Sequence, residues 1–300
     1  MAVMPAFRSW RYLAGNFADP ASAVASSKAD PVILDLEDMV PPAEKLRARA
    51  QVAACVAAHA GTAKPALFVR PNRCDSALAE ADISAVVRPG LAGFRLPKIE
   101  SAEAVLQYDH WVARAEAAAD LPVGELPFVP IIESALGIHR AQEVASAHPR
   151  VVALAFGSMD FASDINARQT PDQLETLVAR SHLVLASRLA GIRPPVDGVY
   201  FQTTDLEGLA RSSTFSRALG FTSRAGFNEA QIEVINTVYA PSAADLRRAR
   251  DIVSAAAERE AAGVGAFLLA DGYFVDIAVV RAAEAMLSLA ASLGMDEVSA

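Results

Sequence analysis

Phe128-Val129-Pro130-Ile131-Ile132-Glu133-Ser134 is an apolar run that stops on a carboxylate, and Val151-Val152-Ala153-Leu154-Ala155-Phe156-Gly157-Ser158-Met159-Asp160 is a second. Glu133 and Asp160 stand 27 positions apart, the length of one strand, one helix and their loops. Runs that are hydrophobic throughout, rather than at alternate positions, fit parallel strands covered on both faces. Working outward, further runs occur at residues 8–13, 31–36, 66–70, 93–97, 196–201 and 220–225. Ala-rich helical stretches separate them, at 42–59, 102–119, 135–147, 171–190 and 206–219. Ser101 before Glu103 and Pro171 before Asp172 read as helix starts. Eight strands alternating with helices predict an α/β fold of the TIM (β/α)8 barrel type, for which about 250 residues is usual. A doubly wound sheet is the rival, but the first strand is followed by Ala14-Gly15-Asn16 without further glycines at phosphate-loop spacing.

Beyond Asn236 the chain outruns such a barrel. Residues 241–262 read as one long helix with an Arg247, Arg248, Arg250 face, 263–273 as turns, and a last helix starts at Asp276. The expected organisation is a barrel over 1–240 and a C-terminal helical extension or lid over 241–300, contacting a neighbouring subunit.

Composition narrows the class. The 300 residues are 53% hydrophobic and 21% charged with a net charge of −8, which excludes a disordered chain. Only 16 Gly and 17 Pro exclude collagen-like or low-complexity character. The longest apolar stretch, residues 261–270, is too short to span a bilayer, and residues 1–17 lack the layout of a secretory leader. Two cysteines, Cys55 and Cys74, fit a reducing compartment, so a cytoplasmic enzyme is expected. An acidic balance argues against nucleic acid, and no membrane partner is expected.

Chemistry on this fold sits at the carboxyl ends of the strands. Read there, the second run closes on Asp35, Glu37 and Asp38, the third on Arg70, the fourth on Lys98, the fifth on Glu133 and the sixth on Asp160. Two carboxylates from adjacent strands, completed by water, suit Mg²⁺, an oxygen-seeking ion. His59, His110, His139, His148 and His182 all fall in helical stretches and offer no zinc cluster. Plainer readings exist. Glu133 and Asp160 fit helix caps or first-turn acids, and the 35–38 run fits the solvated exit of a strand. Recurrence of Arg70, Lys98, Glu133 and Asp160 at one position of the unit favours a shared site. Close carboxylates raise one another's pKa unless a cation is near, and Arg70 is such a cation. Nothing marks a base beside Cys74, which reads as a bystander.

These strand ends resemble the citrate lyase β-subunit-like branch of the HpcH/HpaI aldolase and malyl-CoA lyase superfamily, over nearly the whole chain. The matching segments are Arg8-Ser9 with Gly15-Asn16, residues 32–38 with Pro41-Pro42 and Lys45, Val69-Arg70-Pro71-Asn72, and Leu96-Pro97-Lys98-Ile99-Glu100. Ile131-Ile132-Glu133-Ser134-Ala135 with Gly137, Phe156-Gly157-Ser158-Met159-Asp160-Phe161, Ser187-Arg188 with Gly191, and Asp197 follow. Gly220-Phe221, Gln231 with Asn236, Pro241-Ser242 and Val275-Asp276 complete the set. The resemblance implies a barrel that cleaves or forms a carbon–carbon bond beside a CoA thioester with Mg²⁺. It puts Glu133 and Asp160 at metal-ligand positions and Arg70 at a substrate-binding arginine. It also puts Asp276 at an aspartate that reaches a neighbouring subunit's site in the malyl-CoA lyase branch, and it implies a homotrimer or hexamer. Lys98 and Arg8 are further expected substrate contacts, and Glu37, Asp38 and Asp276 are the expected proton-transfer groups. The chain departs from the family at Ala14, where Pro is usual, and at Ala225-Gly226-Phe227-Asn228, where relatives carry Ala-Ile-His-Pro on the CoA side.

The expected activity is that of a Mg²⁺-dependent lyase on an acyl-CoA or organic acid such as malyl-, citramalyl- or citryl-CoA. Hydrolysis of the same thioester is the nearest rival. A citrate lyase β-type subunit needing partner chains and a carrier-bound substrate is another. A non-catalytic organic-acid sensor would have no need of a metal template.

Overall fold

The computed structural model describes residues 5–62, 64–261 and 264–295. The first compact unit, Phe7–Tyr239, is a closed barrel of eight parallel strands in sequence order. Its strands are β1 (Ser9–Ala14), β2 (Pro31–Asp35), β3 (Ala66–Arg70), β4 (Gly93–Leu96), β5 (Phe128–Ile132), β6 (Ala155–Phe156), β7 (Val196–Asp197) and β8 (Ser223–Gly226). Around them run α1 (Pro20–Ala25), α2 (Lys45–Ala58), α3 (Ala79–Val86), α4 (Ala102–Ala118), α5 (Ala135–His139), α6 (Ala141–Ala145), α7 (Ser158–Asp164), α8 (Leu177–Leu189), α9 (Leu206–Leu219) and α10 (Glu229–Tyr239). β8 closes on β1 through Trp10↔Ala225.

Strand parity divides the core into two layers. Val32, Leu34, Leu67, Val69, Phe94, Leu96, Ile132 and Phe156 pack with the helices in one buried cluster. The alternate positions fill the barrel, where Trp10 stacks edge-on against Phe68 at 4.9 Å. Each buried aliphatic side chain contributes about 1.5–3 kcal/mol.

The expected eight strands are present, with shorter sixth and seventh members. Val151 leaves the ladder and makes only an isolated bridge to Phe128. The expected 135–147 helix breaks at Arg140, whose ψ of 12° is not helical, and Gly137 weakens its first half. The 171–190 helix starts late because Gln173 adopts φ 54°. Helices α1, α3, α7 and α10 lie outside the expected helical stretches.

The second unit carries the chain from Ala240 onward. It contains α11 (Ala243–Ala261), an antiparallel pair β9 (Phe267–Leu268) and β10 (Phe274–Val275), and α12 (Ile277–Ser292). The expected 263–273 turn region therefore includes a strand, while Ala262 and Gly263 lie outside the described residues. Ala249, Ile252, Val275 and Ala283 form its own small core.

Candidate active site

At the carboxyl end of the barrel, register brings Arg70 beside Asp35. Arg70 Nε donates to Asp35 Oδ1 at 2.5 Å and Nη2 to Oδ2 at 2.8 Å, while Nη1 pairs with Glu37 Oε2 at 3.1 Å. That two-pronged bond fixes the guanidinium plane and commits two of its five N–H groups, while Glu37 Oε2 lies in ion-pair range without a hydrogen-bond partner among the described residues. Its carbon lies 5.0 Å from the centre of the Tyr12 ring, a cation–π contact. Asp35 itself accepts from the Glu37 and Met39 backbone N–H groups, which curls the 35–39 turn toward the mouth. Lys45, at the start of α2, ties the same turn down. Its Nζ donates to the Leu36 and Glu37 carbonyls and to Asn72 Oδ1, at 2.6–2.8 Å.

Lys98 follows β4 with φ 52°, a left-handed backbone uncommon for a residue with a side chain. That conformation lets one residue hold three acids. Its backbone N–H donates to Glu133 Oε1 at 2.9 Å, while Nζ lies 3.2 Å from Glu37 Oε1 and 3.1 Å from Asp38 Oδ2. Glu133, just past β5, is buried, and Asp160 sits exposed in the first turn of α7. Gly157 between them is required by contact, since a Cβ there would strike the Cβ and Oε2 of Glu133.

The electrostatics separate these acids. Burial, then the charge of Asp160, pushes the Glu133 carboxyl up to about 8, with Arg70 opposing. Burial and Asp38 likewise raise Glu37 above the usual carboxylate range, although Arg70 and Lys98 pull it down. Asp38 moves the other way, because the Lys98 hydrogen bond and charge outweigh its partial burial. Neighbouring acids whose pKa values part in this way suit a proton donor beside an ionised partner.

The Glu133–Asp160 pair fits a divalent cation. Both donors are oxygens, and the like-charge repulsion that raises Glu133 is what a dication would remove. Among the described residues no cluster of three or more His, Cys, Asp or Glu is arranged around a metal position. Two carboxylates plus water suit Mg²⁺, which commonly keeps several waters.

Of the residues expected at this mouth, Arg70, Lys98, Glu37, Asp38, Glu133 and Asp160 are brought together. Arg8 is not, and its expected substrate contact is corrected. It precedes β1, at the amino end of the barrel, where its guanidinium donates to Asp30 at 2.9 and 3.1 Å. Asp276 caps α12 in the second unit, its Oδ1 accepting from the Ala278 and Val279 N–H groups at 3.0 Å. Burial raises the Cys74 thiol, in keeping with a bystander.

Sequence reading missed Tyr12 and Arg95. Arg95, inside the barrel on β4, is 1% exposed, lies 5.1 Å from the Trp10 ring, and leaves Nε and Nη1 without hydrogen-bond partners among the described residues. The signal was available: a charge in mid-strand, between the outward-facing Phe94 and Leu96. Phe227, within the segment that departs from the family, stands 6.5 Å from Tyr12 and 5.7 Å from Phe201, so an aromatic wall flanks Arg70.

Comparison with known proteins gives consistent matches. Residues 8–228 match the HpcH/HpaI aldolase/citrate lyase family. The citrate lyase subunit beta of Haemophilus influenzae is 33% identical over 285 residues, covering 95% of this chain and 97% of that protein. A (3S)-malyl-CoA thioesterase of Cereibacter sphaeroides is 31% identical over 270 residues, 90% of each. Among solved structures, CitE from Mycobacterium tuberculosis, in complex with magnesium, acetoacetate and coenzyme A, superposes with a TM-score of 0.75. It is 28% identical and covers 95% of this chain and 98% of that one.

Proposed function

Because the chain belongs to the HpcH/HpaI aldolase/citrate lyase family, we propose that it is a carbon–carbon lyase working with Mg²⁺ on a carboxylated β-hydroxyacyl-CoA, such as malyl-, citramalyl- or citryl-CoA. The observation that carries this reading is the buried Glu133 beside Asp160, facing Arg70 at the mouth. Glu133 and Asp160 would hold the ion, which supplies Lewis acidity and a template for the substrate's oxygens. N–H groups of Arg70 not bonded to Asp35 would donate to the thioester oxygen, where charge develops as the bond breaks. Asp35 keeps that fork from rotating. Lys98 Nζ would orient the substrate's carboxylate while holding Asp38 ionised. The Glu37 carboxyl, raised by burial, is placed to return a proton to the enolate carbon. Asp276 is a second proton-transfer group, offered to the site of an adjacent subunit in a homotrimer or hexamer by the extension that begins near residue 241. Its Oδ1 takes both cap bonds, which leaves Oδ2 for that task.

A thioesterase reading is favoured by the malyl-CoA thioesterase relatives, and uses the same ion and arginine to activate water. A citrate lyase β-type role, with partner chains and a carrier-bound substrate, is favoured by the citrate lyase relatives. One experiment separates all three: purified protein with Mg²⁺ and a panel of β-hydroxyacyl-CoAs, products identified by mass. Malyl-CoA going to glyoxylate and acetyl-CoA supports the lyase, and malate with free CoA supports the hydrolase. No turnover without added subunits supports the β-type role.

A further inference from the structure

A cleft of about 450 Å³ lies between α3 and α4 on the outside of the barrel. Residues 87–89 and 115–119, which line it, lead into β4 and β5, so it sits toward the amino end of the barrel, opposite the catalytic mouth. Small-molecule sites occupy about 300–1,000 Å³, and this one falls in that range. Helical spacing builds it. Trp111, Ala115 and Ala118 stand at i, i+4 and i+7 on one face of α4. The two alanines leave the hollow, and the half-buried indole of Trp111 walls it. Edge-on packing against Tyr108, with ring centres 5.7 Å apart, holds the plane of that indole.

Charge selects the occupant. Arg114 Nη1 donates to Glu80 Oε1 at 2.9 Å from one helix to the other, so those two charges cancel. Arg88 has no such partner. Its Nη2 donates to the Ala85 carbonyl, its Nε is enclosed without a hydrogen bond, and no carboxylate pairs with it among the described residues. An aromatic wall, a floor of small apolar side chains and one unbalanced guanidinium suit a flat ring that carries a carboxylate.

Both helices also reach the mouth, from their other faces. Asp82 of α3 accepts from the Asn72 N–H and Nδ2 at 3.0 and 2.5 Å, and the Tyr108 hydroxyl of α4 donates to the Asn72 carbonyl at 2.7 Å. Asn72 Oδ1 accepts from Lys45, whose other bonds tie down the turn that carries Glu37. A change in the spacing of α3 and α4 is therefore passed through Asn72 to that turn.

We propose that the cleft is an effector site for a small aromatic carboxylate, with the ring against Trp111 and the charge on Arg88, and that its occupancy is read at the mouth through Asn72. It shares no residue with the catalytic mouth and stands whatever the substrate proves to be.

Benzoate is the probe, added to the full chain. Of the two tryptophans Trp10 is enclosed in the barrel, so saturable quenching of tryptophan fluorescence reports on Trp111. Ala118→Leu fills the cleft from an exposed helix position and should abolish the quenching, with circular dichroism confirming the fold. Arg88→Gln should weaken binding roughly tenfold or more, the loss expected when a hydrogen bond between charged groups is removed. Benzyl alcohol, the same ring without the charge, should bind the wild type no better than benzoate binds Arg88→Gln. At saturating benzoate, deuterium exchange over residues 36–40 should slow roughly twofold or more in the wild type and stay unchanged in Ala118→Leu. Quenching that never saturates, or that survives undiminished in Ala118→Leu, would overturn the site. Benzyl alcohol binding as tightly as benzoate would overturn the role of Arg88. Saturable binding with unaltered exchange over 36–40 would overturn the link to the mouth.

Discussion

Two buried charge clusters of this barrel have opposite characters. Between α4 and the start of β6, Arg150 Nη1 and Nη2 donate to the two oxygens of Glu116 at 2.7 and 2.5 Å, and Nε reaches Asp109 at 2.6 Å. Backbone N–H groups of Gly124 and Leu126 fill the remaining positions of Glu116. Burial opposes its ionisation, yet those bonds carry its pKa below the ordinary value. At the mouth, Glu133 accepts only from the Lys98 N–H among the described residues, and burial pushes it up to about 8. One cluster is satisfied within the chain and serves the fold. The other is short of positive charge, the pattern expected of a site that takes a ligand.

Glu133→Gln or Asp160→Asn should lower activity on the order of 10³-fold, since a bound ion supplies several kcal/mol of transition-state stabilisation. Melting temperature should hardly move. Steady-state rates with scanning calorimetry check both halves, and full activity in either variant after chelation would misplace the metal.

Glu116→Ala should do the reverse. It strands the buried Arg150 guanidinium, at a cost of about 3–5 kcal/mol, while turnover per folded molecule stays native. Urea unfolding read against specific activity decides this. The pH dependence has a definite sign as well. Because the folded-state pKa of Glu116 is depressed, its contribution is complete above the ordinary value of 4.5 and fades as pH falls through the lower folded one. Melting followed downward from pH 5 should therefore fall more steeply in the wild type than in Glu116→Gln.

Arg70→Lys should cost roughly 10–100-fold in kcat/KM. An ammonium cannot hold Asp35 with two bonds and still present N–H groups to substrate. Unchanged turnover would reduce Arg70 to a structural partner of Asp35. Smallest is Asp276→Ala. As a cap of α12 it is worth about 1 kcal/mol, so a larger loss of activity than of stability would reveal a chemical role. Mixing inactive Asp276→Asn and Glu133→Gln chains should restore partial activity only when a site is shared between subunits.

The barrel was legible because continuous apolar runs betray strands buried on both faces, and the residue ending each run marks the mouth. Arg70, Lys98 and Glu133 could be found by position alone. Arg8 misled because it begins a run instead of ending one, and in a parallel barrel that places it at the opposite face. Tyr12 and Arg95 were hidden for a different reason. Neither ends a strand; Arg95 is marked in the sequence only as a charge in mid-strand, and placing it or Tyr12 at the site needs strand parity and the Asp35↔Arg70 register, which a single sequence does not display. Nor could the sequence show that the left-handed backbone of Lys98 is what lets its N–H reach Glu133 while its ammonium reaches Glu37 and Asp38.

The most direct test of the central claim is calorimetric titration of Mg²⁺ into the metal-free protein and its Glu133→Gln and Glu116→Gln variants. One ion per chain is expected in the wild type, the same in Glu116→Gln, and at least a tenfold loss of affinity in Glu133→Gln. Binding that survives undiminished in Glu133→Gln would contradict it.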